Sequence, residues 1–367
     1  VIDAWTWPAF VGVLFGVLAF AALIVPILVW ESRSHGQIRF IRLIGAAMVS
    51  VYGVALIAYT LLPIPTQEWC STHPVPGRNL TPFAFVGDLI EYHAQHGARA
   101  LLTSFVFLQV AFNVLLFIPW GALMRRFFGR GIVFSFLSGV ALSAFIEATQ
   151  TTGGFGLFPC RYRVGDVDDL ILNSAGALIG AVAAPVVLFF LPDPDESART
   201  RRRPRPVTRT RRLVGMVIDA SLLIVLPSLC LTIWRVISTF VFSDETQTEG
   251  AWDRFIATAV VLAALLAFRR GRESLGQRAV WLRPTWPGGI GWGIVPRFLL
   301  GFGGWGVLVL LSELPGTGTL DRMVDFSGTG LAIACVVGVL VERSAKGLSL
   351  WSSGGELIDS RSASERD

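Results

Sequence analysis

RYRVGDVDDLILNSAGALIGAVAAPVVLFFL (161–191) opens with two arginines and three carboxylates and continues as an apolar run. Crossing the hydrocarbon core of a bilayer takes about 20 residues of helix, and this run is long enough. Its polar start, with Asp166, Asp168, Asp169 and Asn173, therefore lies at the end of a membrane helix. Ionisable groups at that depth are costly, so they mark the first place to look for function.

Outward from this segment the apolar pattern recurs at roughly 8–30, 42–62, 102–124, 131–150, 168–191, 213–235, 252–268, 293–312 and 326–342. The seventh and ninth of these are short. The 367 residues are 53% hydrophobic and only 16% charged, which excludes an ordinary soluble enzyme. Helices satisfy their own backbone hydrogen bonds in lipid, so the expected fold is all-α. It is a polytopic bundle of about nine transmembrane helices, five before and four after a basic linker.

Loop charge sets the expected orientation. Loops after odd-numbered spans hold Arg33, Arg39 and Arg42, then Arg125, Arg126 and Arg130, then eight arginines from Arg199 to Arg212, then five from Arg269 to Arg283. Loops after even-numbered spans hold only Arg78, Arg99, Arg161, Arg163 and Arg322. The positive-inside bias then places the N-terminus outside and the C-terminus in the cytoplasm. A formal charge of +5 is accounted for by arginine beside anionic lipid, so membrane lipids rather than nucleic acid are the expected partners. The first span lacks a basic leader and reads as retained, not as a cleaved signal peptide.

The expected divisions are a five-helix membrane domain at 1–191, a Pro/Arg-rich cytoplasmic linker at 192–212 in which proline and arginine prevent packing, a four-helix membrane domain at 213–351 and a disordered tail at 352–367. In the long loop 63–101, AFVGDLIEYHAQ (84–95) has the pattern of an amphipathic helix lying on the outer leaflet. Cys70 and Cys160 fall in outside loops, where disulfides persist, and are expected to be bridged. His73, His93 and His96 are expected to be solvated loop residues. No metal site and no cofactor is expected: carboxylate oxygens suit a hard cation, but spacing alone does not show that they converge.

Helical spacing gathers the polar residues of the first half into a column. Ser143, Glu147 and Gln150 share one face of the fourth span. Asp169, Asn173, Gly176 and Gly180 form one stripe of the fifth, passing from acidic to amide to small, and the glycines permit close helix approach. Asn113 in the third span can join the column, and Arg163 is the expected counter-charge of Asp166. Two readings stand: an outward-facing site for a cationic or phosphate-bearing amphiphile, or a buried ion-pair and hydrogen-bond network that sets helix register.

NVLLFIPWG (113–121), SAFIEATQ (143–150) and RVGDVDDLILNSAGALIG (163–180), with NLTPF (79–83) upstream, resemble the signature blocks of the VanZ-like family over roughly 42–191. The resemblance implies a bacterial cell-envelope membrane protein linked to low-level resistance to glycopeptide antibiotics, teicoplanin in particular. It implies a phenotype without a mechanism.

In the second half, RRLVGMVIDA (211–220) puts Asp219 two turns beyond Arg212, and PRFLLG (296–301) opens the eighth span with Arg297. With GRESLGQRAVWL (271–282) between them, residues 207–359 resemble the RDD family. They depart from it at Gly215, at Gln277 and at Leu350, which stands where that family has a closing aspartate. Arg212, Asp219 and Arg297 form the expected inner cluster, read first as a packing lock.

The leading functional expectation is a protein acting at the outer membrane–water interface on or with an amphiphile, either a glycopeptide antibiotic or a lipid-linked wall precursor. Ion or solute transport through the RDD-like half and enzymatic action on a lipid-linked substrate are the alternatives.

Overall fold

The computed structural model describes residues 2–73, 77–192, 199, 201–242, 250, 252–268, 273–289, 291–315, 319–342 and 344–362. Arg269, Arg270 and Arg272, residues 193–198 and 200 of the expected linker, and residues 363–367 of the expected tail lie outside them. The described chain is mostly helical, with only four short strands. Six helices are long and apolar enough to cross a membrane, or eight if each of two bent pairs counts as one span.

The chain divides into two compact units, residues 1–24 with 39–197, and residues 25–38 with 198–367. The first expected span is therefore not one rod. It is α1 (Ile2–Ala22) and α2 (Ile24–His35), bent by 64°, and α2 groups with the second unit instead of the expected 1–191 domain.

The first unit contains α1, α3 (Phe40–Leu61), the short α4 (Gln67–Thr72), α5 (Ala84–Leu101), α6 (Phe105–Arg126), α7 (Ile132–Thr152) and α8 (Val167–Val187). α8 packs along both α6 and α7, and its Ala177, Ala181 and Ala184 are fully buried. Leu56, Phe117, Ile146 and Ala177 form the core. Close packing of α6 on α8 follows from the small-residue stripe: a Cβ on Gly176 or Gly180 would run into the carbonyl of Val114 or Ile118. Larger residues there would force the backbones apart. The ascending register 114 to 176 and 118 to 180 makes α6 and α8 parallel, as alternating spans require.

α5 is the expected amphipathic helix, extended to Leu101 through a break at Gly97. Its loop is fastened at three points. The Cys70–Cys160 disulfide is formed. β1 (Arg78–Asn79) pairs in parallel with β2 (Gly165–Asp166). The Asp168 carboxylate accepts from the N–H groups of Phe83 at 2.6 Å and Phe85 at 3.0 Å, which holds the start of α5.

The second unit is built on α9 (Arg209–Phe242), against which pack α10 (Asp253–Ala267), the short α11 (Leu275–Ala279) and α14 (Thr319–Val341). α10 has fifteen residues and falls short of a full crossing, while α14 is longer than the expected ninth span. The expected eighth span is bent by 41° into α12 (Ile294–Leu299) and α13 (Phe302–Ser312), with Gly301 between them.

Two expectations about the flanks are corrected. After α15 (Leu348–Ser352) the chain forms β4 (Glu356–Asp359), antiparallel to β3 (Leu282–Thr285), where a disordered tail was expected. Asp359 accepts from the guanidiniums of Arg361 at 2.6 Å and Arg211 at 3.0 Å and from the N–H of Arg205 at 3.1 Å. Those contacts also overturn an unpacked linker: its arginines tie residues 201–211 onto the strands, and Arg201 O accepts from Arg361. The guanidiniums of Arg33 and Arg361 lie over the ring of Trp281, between α11 and β3 in the chain, 4.6 and 5.0 Å from its centroid.

Candidate functional site

The first unit has two chemically opposite ends. At one, Arg42 in the first turn of α3 donates to Phe127 O, Arg125 donates to Ala181 O, and Arg126 donates to Leu191 O. At the other, the polar column assembles around the last turn of α3. Arg42 and Thr60 are eighteen residues apart on α3, about 27 Å by helix rise.

The column encloses a cavity of about 270 Å³. Six of the eight expected outer residues line it: Asn113, Glu147, Gln150, Arg163, Asp169 and Asn173. Asn113 of α6 hydrogen-bonds through its amide to Asp169 of α8. Gln150 donates to Thr60 O at 2.6 Å, fixing α7 against the end of α3. Asn173 donates to Ser143 Oγ at 3.0 Å, so Ser143 supports the wall from behind. Asn173 itself is 5% exposed, and its carbonyl oxygen has no hydrogen-bond partner among the described residues.

Asp166 has a different task. As the N-cap of α8 it accepts from the N–H of Asp168 at 2.9 Å and from Asn79 Nδ2 at 3.2 Å, while its own N–H donates to Glu147 Oε2 at 3.1 Å. Capping satisfies amides that the helix start leaves open. The expected Arg163–Asp166 ion pair is not formed. Arg163 instead donates to Leu62 O at 3.1 Å and Tyr59 O at 3.4 Å, and Tyr162 donates to Leu61 O at 2.7 Å. The last carbonyls of a helix are unsatisfied and carry partial negative charge, which draws the guanidinium to the end of α3. Burial raises the Tyr162 phenol above its ordinary value, with Arg163 opposing the shift.

Reading the sequence missed the aromatic part of the site. Tyr59, Phe105 and Phe112 line the cavity, together with Gln109. Phe105 and Gln109, one turn apart on α6, are exposed and form the open rim. Their position one and two turns before Asn113 was the available signal. Asp168 was also missed as a structural group, although it sits in the first turn of α8, where a carboxylate is favourable. The histidines take no part: His73 stacks on Trp69 and His96 on Tyr92. Among the described residues no three or more His, Cys, Asp or Glu side chains gather to hold a metal ion.

The arrangement is thus two carboxylates, one guanidinium, amides and aromatic rings around a small space, within helices α3 to α8. Residues 49–190 match the VanZ/LLP1 family model. The VanZ/LLP1 match covers most of α3 and all of α5 to α8, the elements that build the cavity and its rim. No curated protein and no solved structure matches the chain.

In the second unit the expected inner residues Arg212, Asp219 and Arg297 also line one cavity, of about 210 Å³. Asp219 accepts from Ser274 Oγ at 2.5 Å and from the N–H of Gly276 at 2.7 Å. The guanidinium of Arg297 lies 4.7 Å from the Trp286 ring centroid.

Proposed function

We propose that the VanZ-like unit binds the ammonium-bearing head of an envelope amphiphile in the α3/α6/α7/α8 cavity, and thereby confers low-level tolerance of teicoplanin-type glycopeptides. The observation that carries this reading is Asn173, a buried amide whose carbonyl oxygen waits for a donor beside two carboxylates. Buried polar groups are almost always hydrogen-bonded, so an unpaired acceptor at a cavity wall fits a missing ligand donor. Glu147 and Asp169 outnumber Arg163, and aromatic faces add attraction for a cation.

Size limits the ligand. Sites for drug-sized molecules run from roughly 300 to 1,000 Å³, so about 270 Å³ takes a head group and not an entire glycopeptide. A lipid or lipid-linked wall precursor therefore fits better than the antibiotic itself. We place the protein in the bacterial plasma membrane with this cavity at the outer face. The Cys70–Cys160 disulfide at the acidic end supports that sidedness, as do arginines at the opposite end. In the RDD-like second unit we assign Asp219 a structural role, anchored to Ser274 and Gly276.

The test is expression in a glycopeptide-susceptible host. Wild-type protein raises teicoplanin tolerance, and Glu147→Gln or Asp169→Asn, made to equal levels in the membrane, does not. Equal tolerance from all three proteins rules the cavity out.

A further inference from the structure

The cavity of the first unit draws its two kinds of wall from different helices. Glu147 and Asp169 come from α7 and α8, whereas Tyr59, Phe105, Phe112 and Leu116 come from α3 and α6. On α6, Phe105, Gln109, Phe112 and Leu116 recur at i, i+4, i+7 and i+11 and share one face. Asn113 lies on the flank of that face that reaches α8, through its bond to Asp169. Leu108 lies on the opposite flank, one turn before Phe112.

That second flank is covered toward Leu116 and bare toward Phe105. The Tyr52 hydroxyl of α3 donates to Leu116 O at 2.9 Å, and the Tyr59 and Phe112 rings lie 6.1 Å apart between centroids. One and two turns before Phe112, Leu108 is 42% exposed and Phe105 is 69% exposed. α3 therefore closes on α6 from Leu116 to Phe112 and leaves the seam open beside Phe105 and Gln109. Both helices are long and apolar enough to cross a membrane, so apolar side chains bare along this seam meet lipid.

We propose that the cavity receives its amphiphile sideways from the bilayer, through the gap between α3 and α6, with the first carbons of an acyl chain lying across Phe105 and Leu108. This rests on the reading that the cavity holds an ammonium head group, and it adds where the rest of the molecule lies. A soluble amine could satisfy the carboxylates but would leave the apolar lip unused. Holding the head in the plane of the membrane also raises its effective concentration at the opening, with no added contact. The volume of about 270 Å³ takes the head, and the remainder of the chain stays in the bilayer.

The experiment uses the full-length protein and phosphatidylethanolamine carrying a diazirine near the ester end of one acyl chain. After irradiation the one-to-one adduct is digested and its labelled peptides are mapped by mass spectrometry, in wild type and in Glu147→Gln/Asp169→Asn. In wild type the label falls on residues 105–112 of α6 or 57–62 of α3. It drops about tenfold or more in the double variant, the effect of losing charge-assisted hydrogen bonds. The N-acetylated photolipid gives the same drop on wild-type protein, a comparison that needs no mutation. Retention of the amine lipid with label only outside these residues overturns the sideways route and leaves the head-group reading standing. Seam label that is equal for both lipids, or unchanged in the double variant, marks bulk lipid around the helices and also overturns the route. Absence of saturable retention of the amine lipid removes the head-group reading and the route with it.

Discussion

Asn173 on α8 donates its amide to Ser143 Oγ on α7 at 3.0 Å, and the same bond leaves its carbonyl oxygen unpaired at the cavity wall. A buried acceptor without a partner costs about 1–3 kcal/mol. Asn173→Leu alone would also strip the donor from the buried Ser143 hydroxyl, so the paired Asn173→Leu/Ser143→Ala variant is the test: its thermal midpoint holds while head-group binding falls. A lower midpoint with binding retained would make Asn173 a packing residue only.

The α6–α8 seam is predicted to tolerate no side chain. Gly176→Leu and Gly180→Leu drive a branched side chain into the backbone of Val114 or Ile118. The loss is at or above the upper end of the roughly 1–3 kcal/mol usual for overpacking. Thermal aggregation in detergent reads it, with Gly77→Leu, which has open space around it, as the control.

Removing the disulfide frees the loop before it frees the bundle. Cys70 and Cys160 are 90 residues apart, and the chain-entropy account assigns a closed loop of that length about 4–5 kcal/mol. Cys160→Ser is expected to speed proteolysis between residues 63 and 83 while the spans stay protected, because Asp168 and the β1–β2 pair still hold part of the loop. Unchanged cleavage would show the disulfide to be dispensable there.

Acid should loosen the β3–β4 pair through Asp359. Burial alone pushes this carboxyl up, but hydrogen bonds from Arg361, the Arg211 guanidinium and the Arg205 N–H outweigh it and hold it below its ordinary value. A group depressed on folding contributes its full stabilisation above the unfolded value, about 3.9 for Asp. That contribution is lost as pH falls through the lower folded value. Amide hydrogen exchange across residues 282–285 and 356–359 therefore rises at low pH, once corrected for intrinsic rates. Asp359→Asn removes the pH dependence, and a matching profile in that variant would contradict the assignment.

Much of this was legible in the sequence, for identifiable reasons. Spans with continuous apolar runs, such as α6, α7 and α8, declared themselves through length. The stripe from Asp169 to Gly180 signalled a close helix approach through its spacing, while its partner α6 emerged only from the packing. What stayed hidden depends on tertiary partners. Nothing local tells that Arg163 caps the end of α3 rather than pairing with Asp166, or that Asp168 reaches the amides of Phe83 and Phe85. Residues 353–362 looked like a polar tail because their order comes from β3 and Arg211, some 70 to 150 residues away in the chain. The bend after Ala22 likewise left the apolar pattern of the first span unbroken.

On the proposed function, Glu147 and Asp169 hold an ammonium head group. Titrating the full-length protein with phosphatidylethanolamine and with its N-acetylated form tests it most directly, read by native mass spectrometry in wild type and in Glu147→Gln/Asp169→Asn. Saturable retention of the amine lipid by wild type, lost on acetylation and lost in the double variant, is the predicted result. Equal retention of both lipids, or retention unchanged in the double variant, would contradict it.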